Sequence, residues 1–205
     1  MAYQLYTVGH SALEFSAFLQ LLKPFDITVL MDVRSKPQSM RFPQFDQIEM
    51  EKSLQSANVR YLHMGEELGG RPDDPKAYRE DGLVDYRARR KARSFKAGLE
   101  RIISELEQCS LGLMCAEEDP LSCHRFLMIC PELVALGIDP QHIRKGGIID
   151  SQRECEDLLL KTHQLGAMAG NTLFPFDRAT ALEDAYAAQS EKVAFRIDPR
   201  VLEPW

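Results

Sequence analysis

The feature of the sequence that most constrains the fold is a short apolar run at residues 27–31, Ile-Thr-Val-Leu-Met, which is rich in β-branched side chains. A run this short and this uniformly apolar is typical of a parallel strand that is buried on both faces. Segments of helical period lie on both sides of it, at residues 14–22 and 46–57. Parallel strands need long crossover connections, which helices usually supply. The sequence therefore predicts an α/β fold.

Four further short runs predict the remaining strands of the sheet, at residues 5–8, 59–63, 111–115 and 141–143. We expect a three-layer α/β/α domain over residues 1–149, with a mainly parallel five-stranded sheet. Residues 150–205 change character: a charged amphipathic segment is followed by an irregular stretch at 170–176 and an Ala-rich segment at 177–189. This pattern predicts a helical and irregular C-terminal extension, packed on the domain or on a neighbouring subunit, with a homodimer formed through the extension.

The overall charge and the cysteines limit the environment and the function class. The 205 residues carry a net charge of −6, which argues against a surface that coats nucleic acid, although a local basic groove remains compatible with it. Five cysteines without a C-x-x-C pair predict reduced thiols and a cytoplasmic protein. The sequence has neither a signal-peptide pattern nor an apolar stretch of about eighteen residues, so we expect neither export nor a membrane span.

The stretch from Leu113 to Phe126 has the strongest chemical character in the chain, because it reads as a strand, an acidic loop and a helix. Asp119 before Pro120 predicts a helix N-cap with proline at the first helical position, and Ser122 is an alternative cap. A helix N-terminus favours anions and lowers the pKa of a thiol. The side chains placed near this N-terminus are those of Cys123, His124 and Arg125. They predict either an anion site or a reactive thiolate.

A purely structural interpretation of the same stretch stays open. A free cysteine at the end of a strand, such as Cys115, is commonly buried filler. Arg125 could form an ion pair with Glu117 or Glu118 instead of binding a ligand.

The predicted strand ends gather most of the reactive side chains of the chain. In open parallel sheets, ligands bind beyond the carboxyl ends of the strands. We therefore predict one cleft in which five residues converge: His10, Asp32, Arg34, Cys115 and Arg125. Zinc ligands could be supplied there by Cys115, Cys123, His10 and His142. Their spacing matches no standard zinc pattern, and we predict no metal and no other cofactor.

Residues 65–93 interrupt the alternation of strands and helices. A Gly-Gly-Arg-Pro turn at residues 69–72 introduces a polar stretch that is rich in arginine. Long loops in compact domains are commonly functional, so the run 87–93 is either a contact strip for a ligand or the solvated face of a helix that continues to about residue 107.

Several separated motifs together resemble one known family. They are Thr-Val-Gly-His-Ser at 7–11, Asp-Val-Arg at 32–34 with Pro37, Leu-Gly-Gly-Arg at 68–71, and Met-Cys-Ala-Glu at 114–117 leading to Cys-His-Arg at 123–125. Over residues 3–145 the chain is similar to the DUF488 family. That family has no assigned function, so the resemblance implies only which residues carry its motifs: His10, Asp32, Arg34, Cys115, Glu117, Cys123, His124 and Arg125.

Two functional hypotheses follow, and both use the cleft. The first is an enzyme that acts on an anionic, phosphate-bearing substrate such as a nucleotide or a nucleic-acid end. The second is a non-catalytic module that binds phosphate or nucleic acid, and in both cases the partner is a small anionic ligand or a nucleic acid rather than a membrane. A rhodanese-like sulfur carrier is a third, weaker alternative, because the acidic residues at 117–119 would oppose a thiolate.

The enzyme hypothesis gives each site residue a role. Arg34 and Arg125 would hold the anion. Either Glu117 or Asp32 would be the general base, and either His10 or His124 the general acid. A variant of this hypothesis makes Cys123 the nucleophile. The remaining predicted substrate-binding residues are Ser11, Arg71 and Cys115.

Overall fold

Six strands form the central sheet of the computed structural model, which describes residues 4–166 and 177–201. The strands are β1 (Leu5–Gly9), β2 (Ile27–Asp32), β3 (Arg60–His63), β4 (Ser110–Cys115), β5 (Gln141–Ile143) and β6 (Ile149–Ser151). Their order across the sheet is β3-β2-β4-β1-β5-β6. The five predicted strands are parallel to one another, as expected, and only β6 is antiparallel to its neighbour β5.

The sixth strand was not predicted, because it is short and has no apolar pattern. Only three residues form it, and none of them is buried. It follows a turn in which Gly146 and Gly147 have positive φ angles of 83° and 80°, a conformation that glycine adopts without steric cost. The turn geometry, rather than hydrophobicity, brings this strand back against β5.

The helices supply the crossovers. They are α1 (Phe15–Leu22), α2 (Gln47–Ser56), α3 (Gly65–Leu68), α4 (Tyr86–Lys91), α5 (Arg93–Leu106), α6 (Cys130–Ala135), α7 (Gln152–Thr162) and α8 (Arg178–Val193). Among the described residues, none of these helices combines the length and the apolar character that crossing a bilayer requires.

Two hydrophobic clusters, one on each face of the sheet, complete the three layers. We call them the first and the second cluster. Side chains of α5 to α8 pack on one face and form the first cluster, which includes Phe95 and Tyr186. Side chains of α1 and α2 pack on the other face and form the second cluster, which includes Phe18 and Met50. The predicted α/β/α architecture is confirmed.

The C-terminal extension packs on the α/β domain itself. Helices α7 and α8 contribute Leu159 and Ala185, both completely buried, to the first cluster. After α8 the chain returns to the long loop, where Arg196 forms a bridge with Leu83. The irregular stretch predicted at 170–176 lies outside the described residues, and the homodimer stays a prediction.

The segment that follows β4 differs in detail from the sequence prediction. Asp119 does cap a turn, because its carboxylate accepts a hydrogen bond of 3.1 Å from the Leu121 amide, but that turn is the short 3-10 segment Pro120–Ser122. A five-residue π-helical segment, Arg125–Ile129, follows, and α6 begins only at Cys130. Pro131 lacks the N–H group that would continue a regular helix, so the helix restarts beside it. Cys123 therefore lies between two turns rather than inside a first helical turn.

Candidate functional site

A cavity of about 960 Å³ opens at the carboxyl edge of the sheet, where the sequence predicts the cleft. The loops after β1, β2 and β4 form its walls, together with the end of α8 and the residues that follow it. Seven of the ten predicted site residues line it: His10, Ser11, Arg34, Arg71, Cys115, Glu117 and His124. Asp32, Cys123 and Arg125 do not.

Asp32 is committed to a buried ion pair and cannot act on a ligand in the cavity. Its carboxylate, which is fully buried, accepts hydrogen bonds from the Arg34 Nη2 at 2.6 Å, from the Arg34 Nε at 2.9 Å and from the Tyr61 hydroxyl at 2.7 Å. Burial and the Asp32 charge raise the pKa of Tyr61, which keeps that hydroxyl a donor. The prediction that Asp32 converges on the cleft is therefore wrong, and Glu117 remains as the candidate base.

His10 lies at the end of β1 and is neutral at pH 7. Its ring stacks on Phe45 with a centroid distance of 4.2 Å, and its Nδ1 donates to the Ser11 carbonyl oxygen at 2.8 Å. Its Nε2 lies 3.3 Å from the Arg34 Nη1. Burial and the Arg34 charge lower the pKa of His10 to about 4. A ring with this pKa is not an imidazolium at neutral pH, which weighs against His10 as the general acid.

Four potential ligand or reactive groups come together where β4 ends, and we call them the thiol cluster: Cys115, Glu117, Cys123 and His124. One atom from each side chain lies within 4.8 Å of the others. The Cys115 Sγ donates to the Glu117 Oε2 at 2.9 Å. The His124 Nδ1 lies 3.8 Å from the Cys115 Sγ and 3.9 Å from the Cys123 Sγ.

A second hydrogen bond fixes the orientation of the His124 ring. Its Nε2 lies 3.0 Å from the Val33 carbonyl oxygen, which can only accept, so Nε2 carries a proton. Gly70 lies against the other side of the ring, where an added Cβ would approach the His124 Cγ to 2.8 Å. These two contacts therefore hold the ring with its Nδ1 atom facing the two sulfurs.

The electrostatic environment separates the two thiols of the cluster. Burial raises the pKa of Cys115 well above its usual value, and the neighbouring Cys123 adds to this. Burial acts in the same direction on Cys123, but the hydrogen bond with Cys115 and the charge of Arg125 outweigh it and bring the pKa of Cys123 well below its usual value. One negative charge on the pair is therefore favourable, and the contact of the Cys123 Sγ with the Arg125 Nε favours Cys123 as its position.

Arg125 holds the thiol cluster together from behind the cavity. It is 1% exposed, its Nε donates to the Cys123 Sγ at 3.1 Å, and its Nη2 donates to the Glu117 carbonyl oxygen at 2.7 Å. Arg34 instead contacts Phe45 and Met50 of the second cluster. The two guanidinium groups thus pack on different faces of the sheet. The prediction that they grip one anion together is wrong, because Arg34 is held by Asp32 and the Phe45 carbonyl, whereas Arg125 is held by Cys123 and the Glu117 carbonyl.

Three exposed cationic side chains of the cavity wall have no carboxylate partner among the described residues, and we call them the cationic rim: Lys36, Arg41 and Arg71. The guanidinium of Arg71 lies over the Phe195 ring at 4.6 Å, and that of Arg41 over the Phe42 ring at 5.3 Å.

Only Arg71 of this rim is among the predicted site residues. The position of Lys36 and Arg41 in the loop after the most apolar strand was the signal that could have identified them. The contribution of Phe195, which comes from the C-terminal extension, has no such signal in the sequence.

The arginine run at 87–93 is largely structural. The predicted single helix is broken at Ala92, whose ψ of 141° is extended, and α4 and α5 lie on either side. Arg89 is buried and donates to the carbonyl oxygens of Glu66 and Glu67, while Arg90 donates to the Leu127 carbonyl oxygen at 2.6 Å. A contact strip that uses these two arginines is excluded.

The zinc ligand set that the sequence suggested does not assemble. His142 is fully buried between the Thr7 hydroxyl at 2.8 Å and the Gln152 side-chain oxygen at 3.1 Å. His10 belongs to the Arg34 pair described above. Only Cys115 and Cys123 of that set share the thiol cluster, and the sequence spacing could not show that His124 and Glu117 join them.

Comparison with known proteins identifies one relationship. A family model described as "Domain of unknown function DUF488" matches residues 14–129, which is more than half of the chain. No curated protein and no solved structure matches the chain.

Proposed function

Because the chain belongs to the DUF488 family, whose function is unassigned, we infer a function from the cavity: we propose an enzyme that binds an anionic, phosphate-bearing substrate, such as a nucleotide or a nucleic-acid end, and transforms it beside the thiol cluster. The substrate enters at the carboxyl edge of the sheet, which is the usual ligand position in open α/β folds.

The charge of the cavity wall is the observation that carries this proposal. Five cationic side chains line the cavity: Arg34, Lys36, Arg41, Arg71 and Arg196. Glu117 is the one carboxylate among the lining residues. Asp32 neutralises Arg34, and Asp81 lies 2.8 Å from Arg196, so the cationic rim supplies the net positive charge. In a chain with a net charge of −6, this local excess favours an anion at this place.

The aromatic side chains of the wall favour a nucleotide over a simple inorganic anion. Phe42, Tyr86 and Phe195 line the cavity together with the rim. Bases stack on aromatic rings and on arginine planes, and each stacking contact contributes about 1–3 kcal/mol. The arginines that lie over Phe42 and Phe195 combine both kinds of surface within the same wall.

The reacting groups come from the thiol cluster. Glu117 lines the cavity and is the candidate general base. His124 is the candidate acid, because its pKa lies above the usual value. Burial acts to lower this pKa, but the charge of Cys123 and other contacts outweigh the burial. The predicted nucleophile Cys123 lies behind Cys115, outside the cavity lining, so a direct attack by its sulfur is not part of this proposal.

Binding is tested with matched phosphorylated and unphosphorylated probes. Adenosine 5′-monophosphate and a 5′-phosphorylated oligonucleotide are titrated calorimetrically against adenosine and the 5′-hydroxyl oligonucleotide. We expect binding of the phosphorylated probes only. The Arg71→Gln variant should lose about ten- to hundredfold in affinity, as for one charged contact of about 1.5–3 kcal/mol. The exposed Arg87, which does not line the cavity, provides the control variant Arg87→Gln with unchanged affinity.

Turnover separates the enzyme from the non-catalytic binding module. Each bound probe is incubated with the protein, and products are identified by mass spectrometry. We expect wild type to form product, and Glu117→Gln to bind equally well but react about 10²- to 10⁴-fold more slowly, the usual contribution of a general base. The neighbouring Glu118, which pairs with Arg144 outside the cavity lining, gives the control Glu118→Gln. Binding without any product would support the binding module instead.

A further inference from the structure

We propose that Cys115, Cys123 and His124 bind a zinc ion whose open coordination position faces the cavity, with Glu117 beside that position. The inference deepens the proposed function, on which its catalytic meaning rests, because it assigns the chemistry of the thiol cluster. With the ion bound, His124 is a metal ligand instead of the general acid. The metal site itself follows from the cluster alone.

The donor atoms have the identity and the spacing that zinc requires. Zinc binds thiolate sulfur at about 2.3 Å and imidazole nitrogen at about 2.0–2.1 Å, so the ligand atoms of a tetrahedral site lie about 3.5–3.8 Å apart. The His124 Nδ1 lies 3.8 Å from one sulfur and 3.9 Å from the other. Both sulfurs lie within 4.8 Å of each other. Shifts of a few tenths of an ångström to about one ångström close the site.

Contacts outside the cluster orient the ligands as metal sites require. A zinc-bound histidine usually donates its other ring N–H to a carbonyl or a carboxylate. The His124 Nε2 makes that bond to the Val33 carbonyl oxygen at 3.0 Å, which directs Nδ1 towards the sulfurs. Arg125 donates to the Cys123 Sγ and also anchors the Glu117 carbonyl, so the loop that carries these ligands is held at both ends.

The formal charges of the site also balance. Two thiolates and the Glu117 carboxylate would place three negative charges in one small, largely buried volume. Arg125, the buried cation that contacts the cluster, offsets one of them. A divalent cation offsets the other two. The Nη1 of Arg125 is buried and has no hydrogen-bond partner among the described residues, so one donor of this guanidinium is left unused.

The position of the three ligands indicates a catalytic rather than a structural site. Structural zinc sites are closed by four protein ligands, whereas catalytic sites have three and keep one position open. Cys115, His124 and Glu117 line the cavity, while Cys123 lies behind them. A water in the open position would release its proton to the Glu117 carboxylate, and the resulting hydroxide would face the substrate bound by the cationic rim.

The test measures metal binding without any substrate. The full chain is purified under reducing conditions, stripped with a chelator, and titrated with Zn²⁺ alone and with Co²⁺ alone. We expect one ion per chain, a thiolate-to-cobalt charge-transfer absorption, and the intense visible bands of a tetrahedral cobalt site. Absence of the charge-transfer absorption in wild type overturns the proposal, whatever the variants do.

Variants locate the ion. Cys123→Ser and His124→Gln should each weaken binding by on the order of a hundredfold or more, since even the loss of a supporting contact costs 10- to 100-fold. Glu117→Gln should keep the cobalt spectrum, and the half-buried Cys109, outside the cluster, gives the control Cys109→Ser with unchanged binding. The assignment is contradicted if Glu117→Gln loses the ion while Cys123→Ser and His124→Gln still bind it. Nucleotide binding is measured separately on the metal-free protein, so a failed metal site and a failed anion site give different results.

Discussion

Replacing Asp32 by Asn tests whether this residue is a structural partner of Arg34. The substitution conserves volume but removes the charge of a carboxylate that is fully buried and accepts three side-chain hydrogen bonds from Arg34 and one from Tyr61. Arg34 is itself only 7% exposed. Breaking a buried ion pair by removing one partner costs about 3–5 kcal/mol, because the other charge stays buried and unpaired.

Urea denaturation provides the measurement. With a slope of about 2 kcal/mol per M, a loss of 3–5 kcal/mol lowers the unfolding midpoint by about 1.5–2.5 M. The double variant Asp32→Asn/Arg34→Met should regain a large part of this loss, because it removes the unpaired cation as well.

Asp81 provides the control for this experiment. Its ion pairs with Arg79 and Arg196 are exposed, and the Asp81→Asn substitution should leave the midpoint nearly unchanged. A loss below about 1 kcal/mol for Asp32→Asn, or a double variant less stable than the single one, would refute the reasoning.

Three further predictions concern the buried histidines, a tight backbone contact and the free thiols. The pKa of His142 and that of His10 are lowered to about 4 by burial, so between about pH 6.5 and 4 the unfolded chain binds more protons than the folded one. The free energy of unfolding should therefore fall as the pH falls through this window, by on the order of 3 kcal/mol for His142. Above the window these two groups should cause no change in stability. A free energy of unfolding that denaturant titration finds independent of pH would contradict this. Gly9→Ala should abolish stable folding, because the new Cβ would lie 1.9 Å from the Glu117 carbonyl oxygen. Gly166→Ala, whose Cβ would have no atom of the described residues within 4 Å, should melt like wild type by circular dichroism. Alkylation of the native protein, followed by mass spectrometry, should modify the half-buried Cys109 before the fully buried Cys130, and the reverse order would show that the core around Cys130 opens more readily than its burial implies.

The sequence allows the architecture to be predicted because hydrophobic periodicity is a local signal. The strand ends that flank the cavity follow from it, and they place His10, Arg34, Cys115 and His124 at one edge. The face on which a side chain lies is harder to predict, because one residue of register reverses it.

That difficulty explains the particular errors at the site. Arg34 lies on the same face as Asp32, that of the second cluster, while Arg125 is the first residue of a π-helical segment that no periodicity reveals. Contacts between distant segments, such as Phe195 with Arg71, depend on the assembled fold alone.

The place of β1 inside the sheet has a consequence for how the chain folds during synthesis. Leu5 pairs with Leu111, and Thr7 pairs with both Leu113 and His142, so the first of these six strands to be synthesised finds its partners more than a hundred residues later. Closing such a long loop is slow, since its entropic cost precedes the contacts that reward it. Until then β1 exposes an apolar strand with two unpaired edges, which is the kind of segment that chaperones protect from aggregation. A nascent chain that ends before β4 has no partner for it, and the incorporation of β1 into the sheet waits for the same strand that carries Cys115 to the site.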